Sequence, residues 1–99
     1  MSNVVEFVTF KVKEKVTEQQ LLKASDECNT GFLALQKGYI YRKFMKKDDT
    51  WADMVLWETM EDAMNAANAA PQYPAASPYF ECIEENSCIM QHWNVEKSY

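Results

Sequence analysis

Glycine and histidine are scarce in this chain, with two glycines and one histidine among 99 residues. Two glycines cannot build a phosphate-cradling loop or a dinucleotide fingerprint, each of which needs several at fixed spacing. The three cysteines, Cys28, Cys82 and Cys88, include no C-x-x-C pair, so no metal-ligand spacing is present and no metal is expected. Their odd number suits a reduced, intracellular protein better than a disulfide scaffold. No apolar run approaches the roughly 18 residues that a membrane span requires. The start, MSNVVEF, has neither the basic lead nor the apolar stretch of a secretory signal, so the expected location is cytoplasmic and no membrane partner is expected. Positive charge is also short: Lys and Arg number 10 against 15 Asp and Glu. Nucleic-acid affinity comes mainly from neutralising phosphates, so an acidic chain is not expected to bind nucleic acid. The basic cluster Lys37, Arg42, Lys43, Lys46 and Lys47 stands beside Asp48 and Asp49 and reads as a solvated hairpin end.

What the chain does have is a regular alternation of elements in a single domain spanning 1–99. Val4 to Lys13 is dense in Val and Phe and reads as a strand. Thr17 opens a helix, with Gln20 at capping-box spacing. Leu21, Ser25, Cys28, Phe32 and Leu35 then recur at helical spacing, and Gly38 ends the segment. Tyr39–Lys46 and Thr50–Glu58 form a hairpin around Lys47-Asp48-Asp49. Thr59 caps a second helix, rich in alanine, which Pro71 stops. Residues 71–77 read as a loop, Ser77-Pro78 as the start of a short helical turn through Cys82, and Asn86–Val95 as the last strand. The order β-α-β-β-α-β predicts an α+β, ferredoxin-like split βαβ fold, with both helices on one face of a four-stranded antiparallel sheet in the order 4-1-3-2.

Splitting each strand by alternation leaves both sheet faces apolar. Val4, Val8, Phe10 and Val12 oppose Val5 and Phe7. Ala52, Met54 and Leu56 oppose Trp51, Val55 and Trp57, while Cys88 and Met90 oppose Ile89, Trp93 and Val95. A two-layer monomer would leave one face polar. An identical sheet related by a two-fold axis is the simplest cover for a patch larger than monomers usually expose, so a homodimer through the sheet face is expected.

Strand-helix-hairpin-helix-strand with two-faced strands resembles the dimeric α+β barrel superfamily, which includes antibiotic biosynthesis monooxygenases. The passage Val55-Leu56-Trp57-Glu58-Thr59-Met60-Glu61-Asp62-Ala63 is similar to the family's W-x-[ST]-x-E-x-A handover from third strand to second helix. Phe10-Lys11-Val12-Lys13 ahead of the helix that includes Glu18–Leu22 also fits. The resemblance implies a small hydrophobic cavity between sheet and helices. In the monooxygenase members an aromatic substrate is deprotonated there and reacts with oxygen without flavin or metal, so no cofactor is implied. Haem-degrading relatives use a histidine on the second-helix segment, and 63–80 contains none.

The one histidine, His92, falls on the Cys88, Met90, His92, Asn94 face of the last strand. Glu6 lies between Val4 and Val8 on an otherwise apolar face. A register in which paired residue numbers sum to 98 sets Glu6 opposite His92 on neighbouring strands, where side chains interact. A carboxylate there would orient the imidazole and raise its basicity, making His92 a candidate general base and Glu6 its partner. The same pair also reads as a structural polar contact. Tyr41, Trp57, Tyr79, Phe80 and Met90 are candidate walls for a small apolar or aromatic ligand, with 71–80 as the mouth; core and dimer contacts are the competing roles. Arg42 reads either as a clamp for an anionic group or as a partner of Asp53. The functional expectation is a small-molecule-handling protein, a cofactor-independent monooxygenase of a small aromatic or polyketide-like compound. The alternative is a non-catalytic binding or sensing dimer.

Overall fold

A computed structural model describes residues 2–99 of the chain. Four strands, β1 (Val4–Phe10), β2 (Tyr39–Lys47), β3 (Thr50–Trp57) and β4 (Ile89–Asn94), form one antiparallel sheet in the order β2-β3-β1-β4. Three helices accompany it: α1 (Glu18–Gly31), α2 (Met60–Ala69) and the short α3 (Ser77–Glu81). This is the expected ferredoxin-like α+β arrangement, and β1 meets β4 in the expected register, Val4 opposite Asn94, Glu6 opposite His92 and Val8 opposite Met90.

The helix starts follow from their caps. Thr17 accepts a bond from the Gln20 amide while the Gln20 side chain accepts from the Thr17 amide, satisfying two donors that α1 would otherwise orphan. Thr59 accepts from the Asp62 amide at the head of α2. Along β3 burial alternates strictly, with Trp51, Asp53, Val55 and Trp57 inward. These side chains pack with Phe10 of β1, Leu21, Ala24 and Cys28 of α1, and Ala63 and Ala66 of α2, so the core lies between the sheet and the helices.

Several boundaries differ from the sequence reading, and β4 starts at Ile89 rather than Asn86. α1 stops at Gly31, and Leu33–Leu35 is a separate 3₁₀ turn, although the apolar spacing runs on to Leu35. A side chain at Gly31 would meet the Ala75 Cβ at 2.6 Å, so the chain crosses the 70s segment where only glycine fits. Residues 71–77 are not an open loop: Ala70–Gln72 and Pro74–Ala76 are 3₁₀ turns, each with proline in its first turn, where a missing amide costs nothing. Residues 11–13 do not continue β1 but pair with the segment after α3, through Lys13 N–H to Cys82 O and Glu84 N–H to Lys11 O.

A β-bulge interrupts β2 between Tyr39 and Tyr41. Beyond it Arg42 and Phe44 turn towards the helices, and Tyr41, Lys43 and Met45 alternate onto the opposite face. There, among other apolar side chains, Tyr41, Met45, Ile89 and Trp93 stand exposed, Trp93 at 58%. The outer face is therefore apolar, as alternation anticipates.

Candidate functional site

Three rows of side chains span all four strands on the inner sheet face. His92, Glu6, Val55 and Arg42 make one row, Met90, Val8, Asp53 and Phe44 the next, and Asn94, Val4, Trp57 and Tyr39 the third. Above the first two rows, the small alanines of α2 leave room. The result is a cavity of about 210 Å3 walled by the sheet, α1, α2 and α3. Its walls are overwhelmingly apolar: Val8 and Val55 on the floor, Phe32 and Leu33 on one side, and Ala66, Ala67 and Ala70 on the other. Phe80, Met90, Ala67 and Cys88 are exposed cavity-wall residues and form its rim.

Glu6 is one of two carboxylates set into this apolar floor, with Asp53. Its Oε1 accepts a bond from the Trp57 indole N–H at 3.1 Å and lies 3.7 Å from His92 Nε2. Its other oxygen, Oε2, takes no hydrogen bond among the described residues. Burial pushes the Glu6 carboxyl above the ordinary carboxylate range. Attraction to His92 and the Trp57 bond pull it back in part, and the Asp53 charge adds to the rise. His92 Nε2 is buried with no hydrogen-bond partner among the described residues.

A second polar cluster supports the adjoining row. Arg42 donates from Nε and Nη2 to the two Asp53 oxygens, each at 2.9 Å, and from Nη1 to the Ser25 carbonyl at 3.0 Å. The Tyr79 hydroxyl donates to Asp53 Oδ2 at 2.6 Å. The Arg42 guanidinium also lies over the Phe44 and Tyr79 rings, 5.1 and 5.2 Å from their centroids. Burial and the Asp53 charge push the Tyr79 phenol far above its ordinary value, so it stays protonated. Burial alone would lower the Arg42 pKa, but its bonds to and attraction by Asp53 outweigh that and hold it protonated. The cluster ties β2, β3, α1 and α3 together around one buried carboxylate. Cys28, also on the wall, is pushed up to about 11 by burial and remains a thiol.

Of the residues singled out from the sequence, Glu6, Trp57, Tyr79, Phe80 and Met90 all line the cavity. His92 is not part of the wall: its Nε2 lies 3.7 Å from Glu6 Oε1, and on β4 the cavity is lined by Met90 instead. Tyr41 lies on the outer face opposite Leu56, with Lys43 over its ring at 5.4 Å, because it alternates with the inward Arg42. Arg42 takes the second of its two readings, as the partner of Asp53. Sequence reasoning missed Asp53 as a wall residue. The signal was an acidic residue in the inward set of a strictly alternating strand.

No protein-family model matches the sequence, and no curated protein does. Solved structures do match. SnoaB, a cofactor-independent oxygenase from Streptomyces nogalater, superposes with TM-score 0.79 at 15% identity, covering 99% of this chain and 97% of that one. An antibiotic biosynthesis monooxygenase-like protein from Bordetella bronchiseptica does so with TM-score 0.79 at 14% identity, covering all of both chains. A hydroxynitrile lyase from Passiflora edulis reaches 0.73 at 13% identity, covering 99% and 97%. Structures with two different chemistries share this backbone, so the likeness speaks to architecture and the site must speak to chemistry. The chain has the fold of antibiotic biosynthesis monooxygenase-like proteins.

Proposed function

We propose that this chain is a cofactor-independent monooxygenase of a small aromatic compound, with Glu6 as the base. The observation that carries the reading is the Glu6 carboxylate on the floor of an apolar cavity, one oxygen fixed by an indole N–H and the other without a hydrogen bond among the described residues, whereas both oxygens of Asp53 are taken by Arg42 and Tyr79. Burial makes that carboxylate a stronger base than in water, which suits it to remove a proton from an acidic ring carbon or phenol. The resulting anion is electron-rich and is itself the reductant for dioxygen. In the overall change a phenol with a free para C–H becomes a quinone: one atom of dioxygen is incorporated as the new C=O, the phenol oxygen becomes the other C=O, and the second atom of dioxygen leaves as water with the two hydrogens lost. His92, 3.7 Å from Oε1, positions Glu6 and receives or returns the proton. This exchanges the roles that the sequence suggests, where His92 is the base and Glu6 its support.

The reading includes a dimer formed by two outer sheet faces. The exposed Ile89, Trp93, Tyr41 and Met45 supply the apolar surface that such a pairing would cover. The resemblance to oxygenase structures supports the reaction class, and the cavity size favours a single-ring substrate over a fused polyketide.

Oxygen uptake with a panel of single-ring phenols and hydroquinones tests the proposal. Turnover that falls about 10²- to 10⁴-fold in Glu6→Gln is the expected result. Turnover unaffected by that change would remove Glu6 from the mechanism. Ligand binding without oxygen uptake or any other turnover would assign the chain to the alternative, a non-catalytic binding or sensing dimer.

A further inference from the structure

The cavity wall carries two carboxylates, Glu6 and Asp53, and neither lysine nor arginine. Arg42 is the chain's one arginine, and three of its five guanidinium donors go to Asp53 and the Ser25 carbonyl. It reaches Asp53 from behind the wall, with a side chain only 5% exposed, and is not a cavity residue. An anionic ligand would therefore enter an apolar space without a countercharge and lose its hydration beside Glu6. Both effects oppose binding, and the low local dielectric enlarges them. A neutral hydroxyl meets the opposite situation, because Glu6 Oε2 is an acceptor with no hydrogen bond of its own among the described residues. Size narrows the choice further. An apolar cavity of about 150 Å3 binds benzene, so about 210 Å3 takes one ring with one or two small substituents.

We propose that the cavity selects uncharged single-ring compounds whose hydroxyl donates to Glu6, and that it excludes ring compounds bearing a carboxylate or another anionic group. The inference rests on the cavity being the substrate site and adds the substrate's charge and donor pattern. Glu6 then determines specificity through its negative charge as well as through its role as base.

Three probes of similar size decide the matter at neutral pH: phenol, anisole and benzoate. Binding is read from the Trp57 indole N–H resonance, which reports on the cavity because that proton is held by Glu6. Phenol should shift the resonance at the lowest concentration, anisole should bind more weakly for lack of a donor, and benzoate should bind at least tenfold more weakly than phenol. Glu6→Gln keeps the shape and an acceptor for Trp57 but removes the charge, so it should bring the phenol-to-benzoate ratio below about threefold. Benzoate binding as tightly as phenol, anisole matching phenol, or a ratio unchanged by Glu6→Gln would each overturn the inference while leaving the cavity as a binding site. Failure of all three probes to move the Trp57 resonance would overturn the underlying site as well.

Discussion

The Trp57 indole N–H donates to Glu6 Oε1 across 3.1 Å, joining the buried tryptophan of β3 to the carboxylate of β1 on the cavity floor. Trp57→Phe keeps the ring and deletes the donor. A hydrogen bond to a charged group contributes about 1.5–3 kcal/mol, and at neutral pH the variant should lose stability in that range by chemical denaturation. It should also shift the acidic limb of any pH–rate profile upward, because one of the interactions that lowers the Glu6 pKa is gone.

Glu6 also sets a pH dependence of unusual sign. Its folded pKa is raised above the ordinary value of 4.5, so the folded protein holds this proton more tightly than the unfolded chain does. Its contribution to stability is therefore fully present below pH 4.5 and declines as pH rises through the folded pKa. Glu6→Gln has no such titration. Unfolding curves of the two proteins should diverge across that window, the wild type losing ground to the variant as pH increases; parallel curves would mean that burial leaves Glu6 unperturbed.

The Asp53–Arg42 pair is buried on both sides. Asp53→Ala leaves a guanidinium in the interior without its partner, and breaking a pair in this way costs about 3–5 kcal/mol. Tyr79→Phe removes one bond to the same carboxylate and should cost about 1.5–3 kcal/mol. Thermal and denaturant unfolding of the two variants checks the ranking, with Asp53→Ala much the worse.

The proposed dimer makes the outer sheet face its interface. Trp93→Glu places a charge where Trp93 is 58% exposed in the single chain, so it should fold normally yet sediment at the mass of one chain while the wild type sediments at twice that mass. A variant that still sediments as a pair would put the interface elsewhere.

Gly38 adopts φ of 87°, and a Cβ at this position would run into the Asp62 side chain. Gly38→Ala should cost more than about 1 kcal/mol in a denaturant titration, since neither the backbone nor the space accommodates it.

Much of this fold was legible because local rules and the global arrangement agree. The capping box at Thr17 and the alternation of β3 each specify what forms, while matching the apolar faces of β1 and β4 limits their register to steps of two, and the one that sets Glu6 opposite His92 is the one that forms. The end of α1 was not legible, because the break at Gly31 is imposed by Ala75, distant in sequence, while the apolar spacing continues through Phe32 to Leu35. In the site, sequence placed Glu6 beside His92. It did not show which of them faces the cavity, since both share one face of the sheet. The helices decide it: the space they leave over the sheet takes in Glu6 and Val8 of β1 and Met90 of β4 but not His92. Tyr41 was misplaced for a related reason. Once Asp53 draws Arg42 inward, the neighbouring tyrosine must face outward, and that constraint spans two strands.

The bulge in β2 bears on any comparison of this chain with its relatives. Between the pairs Tyr39–Trp57 and Tyr41–Leu56, β2 holds one residue more than β3 opposite it. A homologue with an unbroken strand there aligns correctly only with a one-position gap ahead of Arg42. An ungapped alignment would shift one side of that point by a residue and match inward side chains with outward ones. Residue-by-residue transfer along this strand is therefore sound only when the arginine–aspartate pair, not chain length, sets the alignment.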